Sequence, residues 1–463
     1  MTFKSFSIAI IFLFLPLFTV AQLSDSIVSQ LKLGVEGFKG RYHSPSIVVA
    51  IVHKNDIIFS EALGYEDMEN QIPATIDSKY PILSITKMFT ATMYMQLVQN
   101  GNVELDDDIK EYISEYSGEI PSSKKSGTTL LQLATHTSGL PRNSPADIEF
   151  TKQIDHWMLA KQDYDTIISA TKEEVLKSLK YLQTEYPPYQ LLRAGDRHYS
   201  NLGYSLLGIS LERASRTDYK NYILSNICEP LMMNNTGVGT STMENNRLAK
   251  GYYFDNTKQD FVKTPIYQPN AILYAGGMYS TATDLIKFIS FQFDDKAYDH
   301  ILDSRYKRMM QNFGIGWKRS YPFLLHEGSM LGFRSQITFN PELQIGWVIL
   351  TNTTNFDFGQ INDYISRLIV PQYTEKPVTE LSSYVGTYSL KGGYDSLKIY
   401  LKEGKLYSTY LNGALQDLPL TMVGNNRFQA QGNDSYKIEY QFMANEQSHI
   451  AILNFGQLMW VKE

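Results

Sequence analysis

The spacing of apolar and polar residues divides the chain into a mixed helical and β region and an all-β tail. Residues 24 to 40 have the periodicity of an amphipathic helix. A β-branched run, Ser46 to His53, is followed by a second apolar run, Ile57 to Leu63. Polar residues 54 to 56 separate the two runs, as in the turn of a β-hairpin. The chain is therefore predicted to begin with one helix and a two-stranded hairpin.

The middle of the chain has mainly helical spacing, and Thr171 with Glu174 forms a capping-box signature. Further strands, Phe333 to Asn340 and Ile345 to Asn352, precede a helix from Phe358 to Ile369. This order predicts an α/β (α+β) domain with one antiparallel sheet and an inserted helical lobe. The helices predicted before these strands cover residues 84–98, 129–134, 171–182, 201–215, 218–233 and 280–293.

After Pro371 the pattern changes, and nearly every segment alternates with period two. Turn signals such as Gly392-Gly393 and Asn412-Gly413 separate these segments, as in a small antiparallel barrel or sandwich. We therefore expect a domain at residues 22–372 and a separate β-barrel domain at residues 377–463. The predicted strands of the tail are 384–390, 396–401, 405–411, 418–423, 427–431, 436–442 and 450–461.

The first residues have the three parts of a secretory signal peptide. Lys4 precedes an apolar run from Ile8 to Val20, and Thr19-Val20-Ala21 is a small-residue cleavage site. A membrane anchor is the alternative, but a span needs about 20 apolar residues. We expect residues 1–21 to be removed, the mature chain to be secreted or periplasmic, and no stable membrane insertion to remain.

Composition narrows the possible partners. The chain has 463 residues, 43% hydrophobic and 19% charged, which suits a folded globular protein. The net charge is -6 without a basic block, which argues against a nucleic-acid partner. The single cysteine, Cys228, lies in an apolar helical pattern and is predicted to be buried. The eight histidines are scattered, so neither a metal site nor a cofactor is expected.

A candidate nucleophile is Ser84, in Ser84-Ile-Thr-Lys87. Residues three apart on a helix share a face, so an unprotonated Lys87 could take the serine proton. Ser84 follows Tyr80-Pro-Ile-Leu at a predicted strand-to-helix junction. The same spacing begins at four other serines, where a solvated face is the better interpretation: Ser29, Ser122, Ser169 and Ser304.

Two more elements carry suitable chemistry. In Tyr199-Ser-Asn201, a phenol can relay a proton to a leaving group and an amide side chain can hold a substrate carbonyl. In His326-Glu-Gly328-Ser329, a glycine beside a strand edge admits a substrate backbone closely. Each element has a purely structural alternative, a loop or a strand-end turn.

Together, the three elements resemble the serine β-lactamase and penicillin-binding protein superfamily, of the class C kind. Three supporting stretches also resemble it: 131–142, 275–284 and 314–317. The similarity covers residues 25 to 370 and is greatest to the periplasmic D-alanyl-D-alanine carboxypeptidase/endopeptidase branch. The tail resembles the lipocalin-like β-domains found behind such hydrolases.

The resemblance implies an acyl-enzyme mechanism without a cofactor. Ser84 would be the nucleophile, Lys87 its base, Tyr199 the proton relay and Asn201 a ligand of the substrate amide. The substrate-binding strand would contribute His326, Gly328 and Ser329, with the backbone N–H groups of Ser84 and Ser329 forming the oxyanion hole. His136 and Gly276-Gly277 would be structural.

One departure from the family pattern affects substrate choice. The third motif commonly begins with Lys, whereas here it begins with His326, whose ordinary pKa of about 6.5 leaves it mostly neutral at pH 7. We therefore expect carboxylate binding to improve as the pH falls through that pKa, and His326→Lys to strengthen penicillin acylation. The segment from Asn143 to Arg197, with Trp157 and Tyr186-Pro-Pro-Tyr189, is expected to cover the cleft and set specificity.

Three functions remain open. A DD-peptidase acting on peptidoglycan stem peptides, with weak β-lactam binding, is the first. An esterase, a D-amino-acid amidase or a class C-like β-lactamase with the same catalytic set is the second. A non-catalytic ligand-binding sensor is the third, and the intact Ser84, Lys87 and Tyr199 argue against it.

Overall fold

The computed structural model describes fifteen stretches of the chain, and the predicted signal peptide and Tyr186 to Tyr189 lie outside them. The described residues are 23–116, 127–160, 164–182, 198–239, 248–293, 295–320, 322–373, 380–390, 395–411, 413, 417–424, 427–431, 437–444, 450–454 and 458–462.

The α-helices of the described residues lie in the first 373 residues, and a 3₁₀ turn follows at Leu381–Tyr384. None of them, across the described ranges, combines the length and apolarity needed to cross a membrane. They are α1 Asp25–Arg41, α2 Thr86–Gln99, α3 Leu130–Ala134, α4 Ile148–Ala160, α5 Lys172–Ser178, α6 Asn201–Ser215, α7 Tyr219–Ile223, α8 Leu273–Gly276, α9 Ala282–Gln292, α10 Ser304–Phe313 and α11 Phe358–Tyr373.

The strands before the tail form one large sheet and several small ones. They are β1 Ser46–His53, β2 Asp56–Asp67, β3 Ile72–Pro73, β4 Tyr80–Pro81, β5 Thr166–Ile168, β6 Gly237–Val238, β7 Tyr252–Asp255, β8 Asp260–Lys263, β9 Ile266–Gln268, β10 Met278–Ser280, β11 Lys318–Ser320, β12 Phe323–Met330, β13 Phe333–Asn340 and β14 Ile345–Thr351.

The large sheet has the order β11-β12-β13-β14-β1-β2-β3. Antiparallel pairing of β1 with β14, Ile47 opposite Thr351, joins the N-terminal hairpin to the C-terminal strands, which confirms the predicted sheet. β1 is apolar from Ile47 to Val52 because both of its faces are buried. Val48, Ala50 and Val52 face the core shared with α2 and α9, whereas Ile47, Val49 and Ile51 pack with α1 and α11.

Two local sequence predictions for the helical lobe are confirmed. The Thr171–Glu174 capping box is present at the start of α5, and α6 has the predicted bounds. The helix predicted from Asp218 to Met233 is wrong: α7 ends at Ile223, and a π turn follows over Leu224–Cys228. Pro230 explains the difference, because its ring clashes with the carbonyl four residues earlier and stops an α-helix.

The tail is an antiparallel closed barrel of eight strands. They are β15 Gly386–Leu390, β16 Ser396–Lys402, β17 Lys405–Tyr410, β18 Leu418–Gly424, β19 Arg427–Gln431, β20 Lys437–Ala444, β21 Ile450–Asn454 and β22 Leu458–Lys462.

The barrel corrects one sequence prediction. The segment from Ile450 to Val461 is two strands rather than one, since β21 and β22 pair antiparallel with Ala451 opposite Val461. β22 then pairs with β15, Tyr388 opposite Lys462, and closes the barrel. The barrel has an apolar cluster of its own, so the predicted independence of residues 377–463 has a physical basis and stays a prediction.

Candidate active site

Ser84 sits in a tight 3₁₀ turn, Leu83–Ile85, between β4 and α2. Leu83 has a positive φ of 52°, which costs energy in a residue with a side chain. The turn is held by two hydrogen bonds of Ile82: its N–H donates to Met278 O at 3.0 Å and its carbonyl accepts from Ser335 Oγ at 2.8 Å. The turn therefore holds Ser84 in a fixed orientation against β12 and β13, at the predicted strand-to-helix junction.

Lys87 lies one turn further on and is fully buried. Its Nζ is 3.2 Å from Ser84 Oγ, 2.9 Å from Asn201 Oδ1 and 2.8 Å from Ala275 O. Burial lowers the pKa of the Lys87 ammonium well below its usual value, and the charge of Arg142 lowers it further. A neutral amine fits this environment: its two N–H groups donate to Asn201 and Ala275, and its lone pair accepts the Ser84 hydroxyl proton.

Tyr199 completes the contacts of the serine. Its Oη donates to Ser84 Oγ at 2.8 Å. Burial raises the pKa of Tyr199 to about 12, so the phenol remains protonated at neutral pH. Asn201, the first residue of α6, donates from Nδ2 to Asn143 Oδ1 at 2.9 Å while its Oδ1 accepts from Lys87. The first and second predicted motifs thus meet around one hydroxyl.

The loop after α3 holds the second motif in place. Ser200 N donates to His136 Nδ1 at 3.1 Å, and Ser200 Oγ donates to Pro141 O at 2.6 Å. The His136 ring lies 4.5 Å from the Tyr199 ring, centroid to centroid. Asn201 N donates to Arg142 O at 2.7 Å. These contacts of His136 are with the scaffold of Tyr199, in keeping with the structural role expected for it.

His326, on β12, departs from the sequence expectation. Its side chain is only 2% exposed, and its Nδ1 lies 2.9 Å from Glu327 O. Because a carbonyl only accepts, Nδ1 carries the hydrogen. Burial lowers the pKa of His326 well below 6.5, and Lys87 lowers it further. The structure thus contradicts the expected titration near pH 6.5, and the neutral His326 ring lies 6.4 Å from the Tyr199 ring, centroid to centroid.

Gly328 brings β12 against the Ser84 turn. A side chain there would place Cβ 2.3 Å from Ser335 Oγ and 2.4 Å from Ile82 O, so only glycine allows this approach. The next residue, Ser329, is exposed. β11 pairs with Phe323–Leu325 of β12. From His326 onward, the outer edge of β12 therefore has no strand neighbour among the described residues. The role of the backbone N–H groups of Ser84 and Ser329 as oxyanion donors stays a prediction.

Two groups that contribute to the site could not be predicted from the sequence. The Ala275 carbonyl, at the end of α8, accepts from Lys87, and the following Gly276-Gly277 pair packs this segment closely: a Cβ on Gly277 would lie 2.6 Å from Leu273. A backbone carbonyl has no sequence signature. The second contributor is Arg142, whose guanidinium carbon lies 5.2 Å from the Tyr199 ring centroid. Arg142 ends the family-like stretch 131–142, but its contact with Tyr199 depends on the tertiary fold.

The other Ser-x-x-Lys copies are placed away from this chemistry. Ser29 is exposed, as expected, and Ser122 lies outside the described residues. The solvated interpretation is wrong for Ser169 and Ser304, which are both buried. Ser169 Oγ accepts from Asn270 N at 2.8 Å, and Ser304 Oγ donates to Asp299 Oδ1 at 2.7 Å. Their hydroxyls are used to join loops.

Three remaining expectations concern residues away from Ser84. Cys228 is buried, as predicted, and burial raises the pKa of its thiol to about 12. No cluster of three or more His, Cys, Asp or Glu side chains within the described ranges is arranged to hold a metal ion. In the segment expected to cover the cleft, α4 places Trp157 against Tyr253 with ring centroids 6.1 Å apart. Its covering role stays a prediction.

Comparison with known proteins gives a consistent family match. The chain fits the model of the family described as Beta-lactamase over residues 31–370. Beta-lactamase-like protein 2 of Dictyostelium discoideum is 31% identical over 275 residues, covering 56% of this chain and 44% of that protein. The chain therefore spans less than half the length of this relative.

Solved structures show the same fold. The octameric penicillin-binding protein homologue from Pyrococcus abyssi has a TM-score of 0.61 and 23% identity, covering 94% of this chain and 100% of that one. The Beta-lactamase/D-alanine Carboxypeptidase from Yersinia pestis, complexed with citrate, has a TM-score of 0.58 and 23% identity, covering 75% and 99%. At these identities the likeness is one of fold.

Proposed function

The chain belongs to the Beta-lactamase family of serine hydrolases, and from that premise we propose that it is a D-alanyl-D-alanine carboxypeptidase/endopeptidase acting on peptidoglycan stem peptides. The observation that carries the proposal is the buried Lys87 amine 3.2 Å from Ser84 Oγ, with the Tyr199 phenol 2.8 Å from the same oxygen. The Yersinia pestis neighbour, a Beta-lactamase/D-alanine Carboxypeptidase, supports this substrate class.

Acylation follows from these contacts. Ser84 Oγ attacks the scissile carbonyl while its proton passes to the Lys87 lone pair. The carbonyl oxygen becomes negative and is stabilised by the backbone N–H groups of Ser84 and Ser329. When the C–N bond breaks, Tyr199 protonates the leaving amine and recovers a proton from Lys87. Water then attacks the acyl-enzyme through the same groups in reverse.

We propose that the mature enzyme works outside the cytoplasm, secreted or in the periplasm. The signal-peptide pattern of residues 1–21 supports this location, because stem peptides lie on that side of the membrane. Alkaline-phosphatase fusion to residues 1–21 tests it. Phosphatase activity, which needs export, is the expected result, and its absence would contradict the proposal.

Release of D-alanine is the direct test of the activity. An N-acylated peptide ending in D-Ala-D-Ala should release D-Ala at a rate that Ser84→Ala abolishes, whereas the peptide ending in D-Ala-L-Ala should be cleaved far more slowly. Turnover of p-nitrophenyl acetate without any D-Ala release would contradict the peptidase proposal.

An esterase or D-amino-acid amidase is the second candidate. The observation in its favour is the burial of His326, which leaves the third motif without a cation for a substrate carboxylate. The same two assays distinguish the candidates.

A further inference from the structure

The Arg142 guanidinium is placed at the mouth of the site. Its Cζ lies 5.2 Å from the centroid of the Tyr199 ring, a stacking distance for a cation on an aromatic face. The side chain is exposed, but its backbone is fixed, since Arg142 O accepts hydrogen bonds from Asn201 N at 2.7 Å and Leu202 N at 3.2 Å. The first turn of α6 therefore positions both the Tyr199-Ser-Asn201 motif and the backbone of Arg142.

Two other basic groups at the site, Lys87 and His326, do not offer a standing charge. Lys87 is buried and uses its amine on Ser84, Asn201 and Ala275. His326 is buried and turns Nδ1 towards Glu327 O. A guanidinium, in contrast, is charged at every working pH, and the described chain gives Arg142 no carboxylate partner. Of these three groups, Arg142 is therefore the one that offers an exposed charge to an anion entering beside Tyr199.

We propose that Arg142 is a specificity-determining residue that binds the carboxylate of the leaving amino acid. The proposal rests on the proposed function and deepens it, by naming the group that replaces the cation absent at His326. In a peptide ending in D-Ala, the carboxylate is attached to the carbon that carries the leaving nitrogen. Tyr199 Oη serves that nitrogen, and the guanidinium on the same ring can form two parallel hydrogen bonds with the carboxylate.

Binding to a catalytically inactive chain tests this without turnover. In Ser84→Ala, calorimetry compares an N-acyl-D-Ala-D-Ala peptide with its C-terminal amide, which differs only in the charge. The acid should bind about 10- to 100-fold more tightly, the range of one charge-assisted hydrogen-bonded pair. Adding Arg142→Gln should remove the preference, and Arg142→Lys should restore part of it.

The matched control is Lys152→Gln in the same background. Lys152 lines a neighbouring cleft of about 460 Å³ with Pro141 and Asn143, so this variant removes a nearby surface cation without touching the Tyr199 ring. The preference for the acid should survive. Equal binding of acid and amide by Ser84→Ala, no binding of either, or an equal loss in Lys152→Gln and Arg142→Gln would overturn the proposal.

Acylation separates this inference from the proposed function. The otherwise unaltered enzyme is mixed with benzylpenicillin and with its methyl ester, and the adduct is measured by mass. A preference for the free acid that disappears in Arg142→Gln supports carboxylate recognition even if no D-Ala is released, in which case only the peptidase proposal fails. D-Ala release together with an unchanged acid preference in Arg142→Gln would support the peptidase proposal and contradict the proposed role of Arg142.

Discussion

The Tyr199 phenol donates a hydrogen bond of 2.8 Å to Ser84 Oγ across a sequence separation of 115 residues. This contact joins the helical lobe's second motif to the nucleophile, and it defines what each group can do. Tyr199 is a protonated donor because its pKa is raised to about 12 by burial, and Lys87 is left as the base.

The pH dependence of acylation should report the protonation of Lys87. Its pKa is lowered by burial, so the fraction of neutral amine grows, and acylation accelerates, as the pH rises through that lowered pKa. Stopped-flow acylation by p-nitrophenyl acetate across pH 5 to 10 checks this. Lys87→Arg, charged at every pH, should stay inactive throughout, and an unchanged acid limb in Lys87→Ala would assign the limb to another group.

Tyr199→Phe should separate the phenol from the ring. The ring can still stack on His136, so folding should persist while acyl transfer falls by roughly 10²- to 10⁴-fold, the usual contribution of a general acid–base group. Tyr204→Phe is the matched control: it removes the hydrogen bond from Tyr204 Oη to Ala134 O and should cost about 1 kcal/mol of stability with little effect on rate. Comparable rate losses in the two variants would count against a proton relay.

Gly328→Ala should push β12 away from the nucleophile. The new Cβ would meet Ile82 O at 2.4 Å, so either the strand or the strained turn must move. We expect a lower melting temperature and a loss of acylation rate. Gly37→Ala, in α1, meets nothing within 4 Å and should be neutral or slightly stabilising. Unaltered acylation in Gly328→Ala would show that this approach is not required.

His326→Lys should not improve the enzyme, contrary to the expectation from sequence. The new amine would be buried, and a positive charge without an ion-pair partner is unfavourable there. We predict a lower melting temperature and no faster penicillin acylation at pH 7. Faster acylation in this variant, with a weaker dependence on pH, would restore the original interpretation of the third motif.

A chain ending at Tyr373 should fold without the barrel. That end keeps all of α11, including the stacking of Tyr373 on His53 at 4.0 Å between ring centroids. Circular dichroism and a cooperative melt measure the outcome, and retained acylation shows that the site is intact. An unfolded product would mean that residues 22–372 do not form an independent domain.

The sequence predicted the fold well where local signals and tertiary packing agree. The run Ser46 to His53 could be assigned because a central strand buried on both faces has an unbroken apolar interior, here Ile47 to Val52. Helix α6 could be bounded because Ser200 caps its first turn. The helix prediction failed at Pro230, a helix breaker within an otherwise regular apolar pattern. The strand prediction failed from Ile450 to Val461, where one alternating pattern spans two paired strands.

The residues of the site could be predicted from their motifs, but their charge states could not. Ser84, Lys87, Tyr199 and Asn201 were identified from their residue types and order, and the structure brings them together. The state of His326 could not be predicted, because its depressed pKa results from burial that depends on the whole sheet. The position of Arg142 over Tyr199 could not be predicted for a similar reason, since it depends on hydrogen bonds from the first turn of α6 to the Arg142 carbonyl.

The central claim is that Ser84 forms the acyl-enzyme, and intact-protein mass spectrometry after exposure to benzylpenicillin tests it most directly. The account predicts one adduct, mapped by peptide digestion to the peptide containing Ser84, that is absent from Ser84→Ala. It should persist in Ser29→Ala, which removes an exposed serine with the same Ser-x-x-Lys spacing. An adduct of undiminished amount in Ser84→Ala, or one mapped to another residue, would contradict the mechanism.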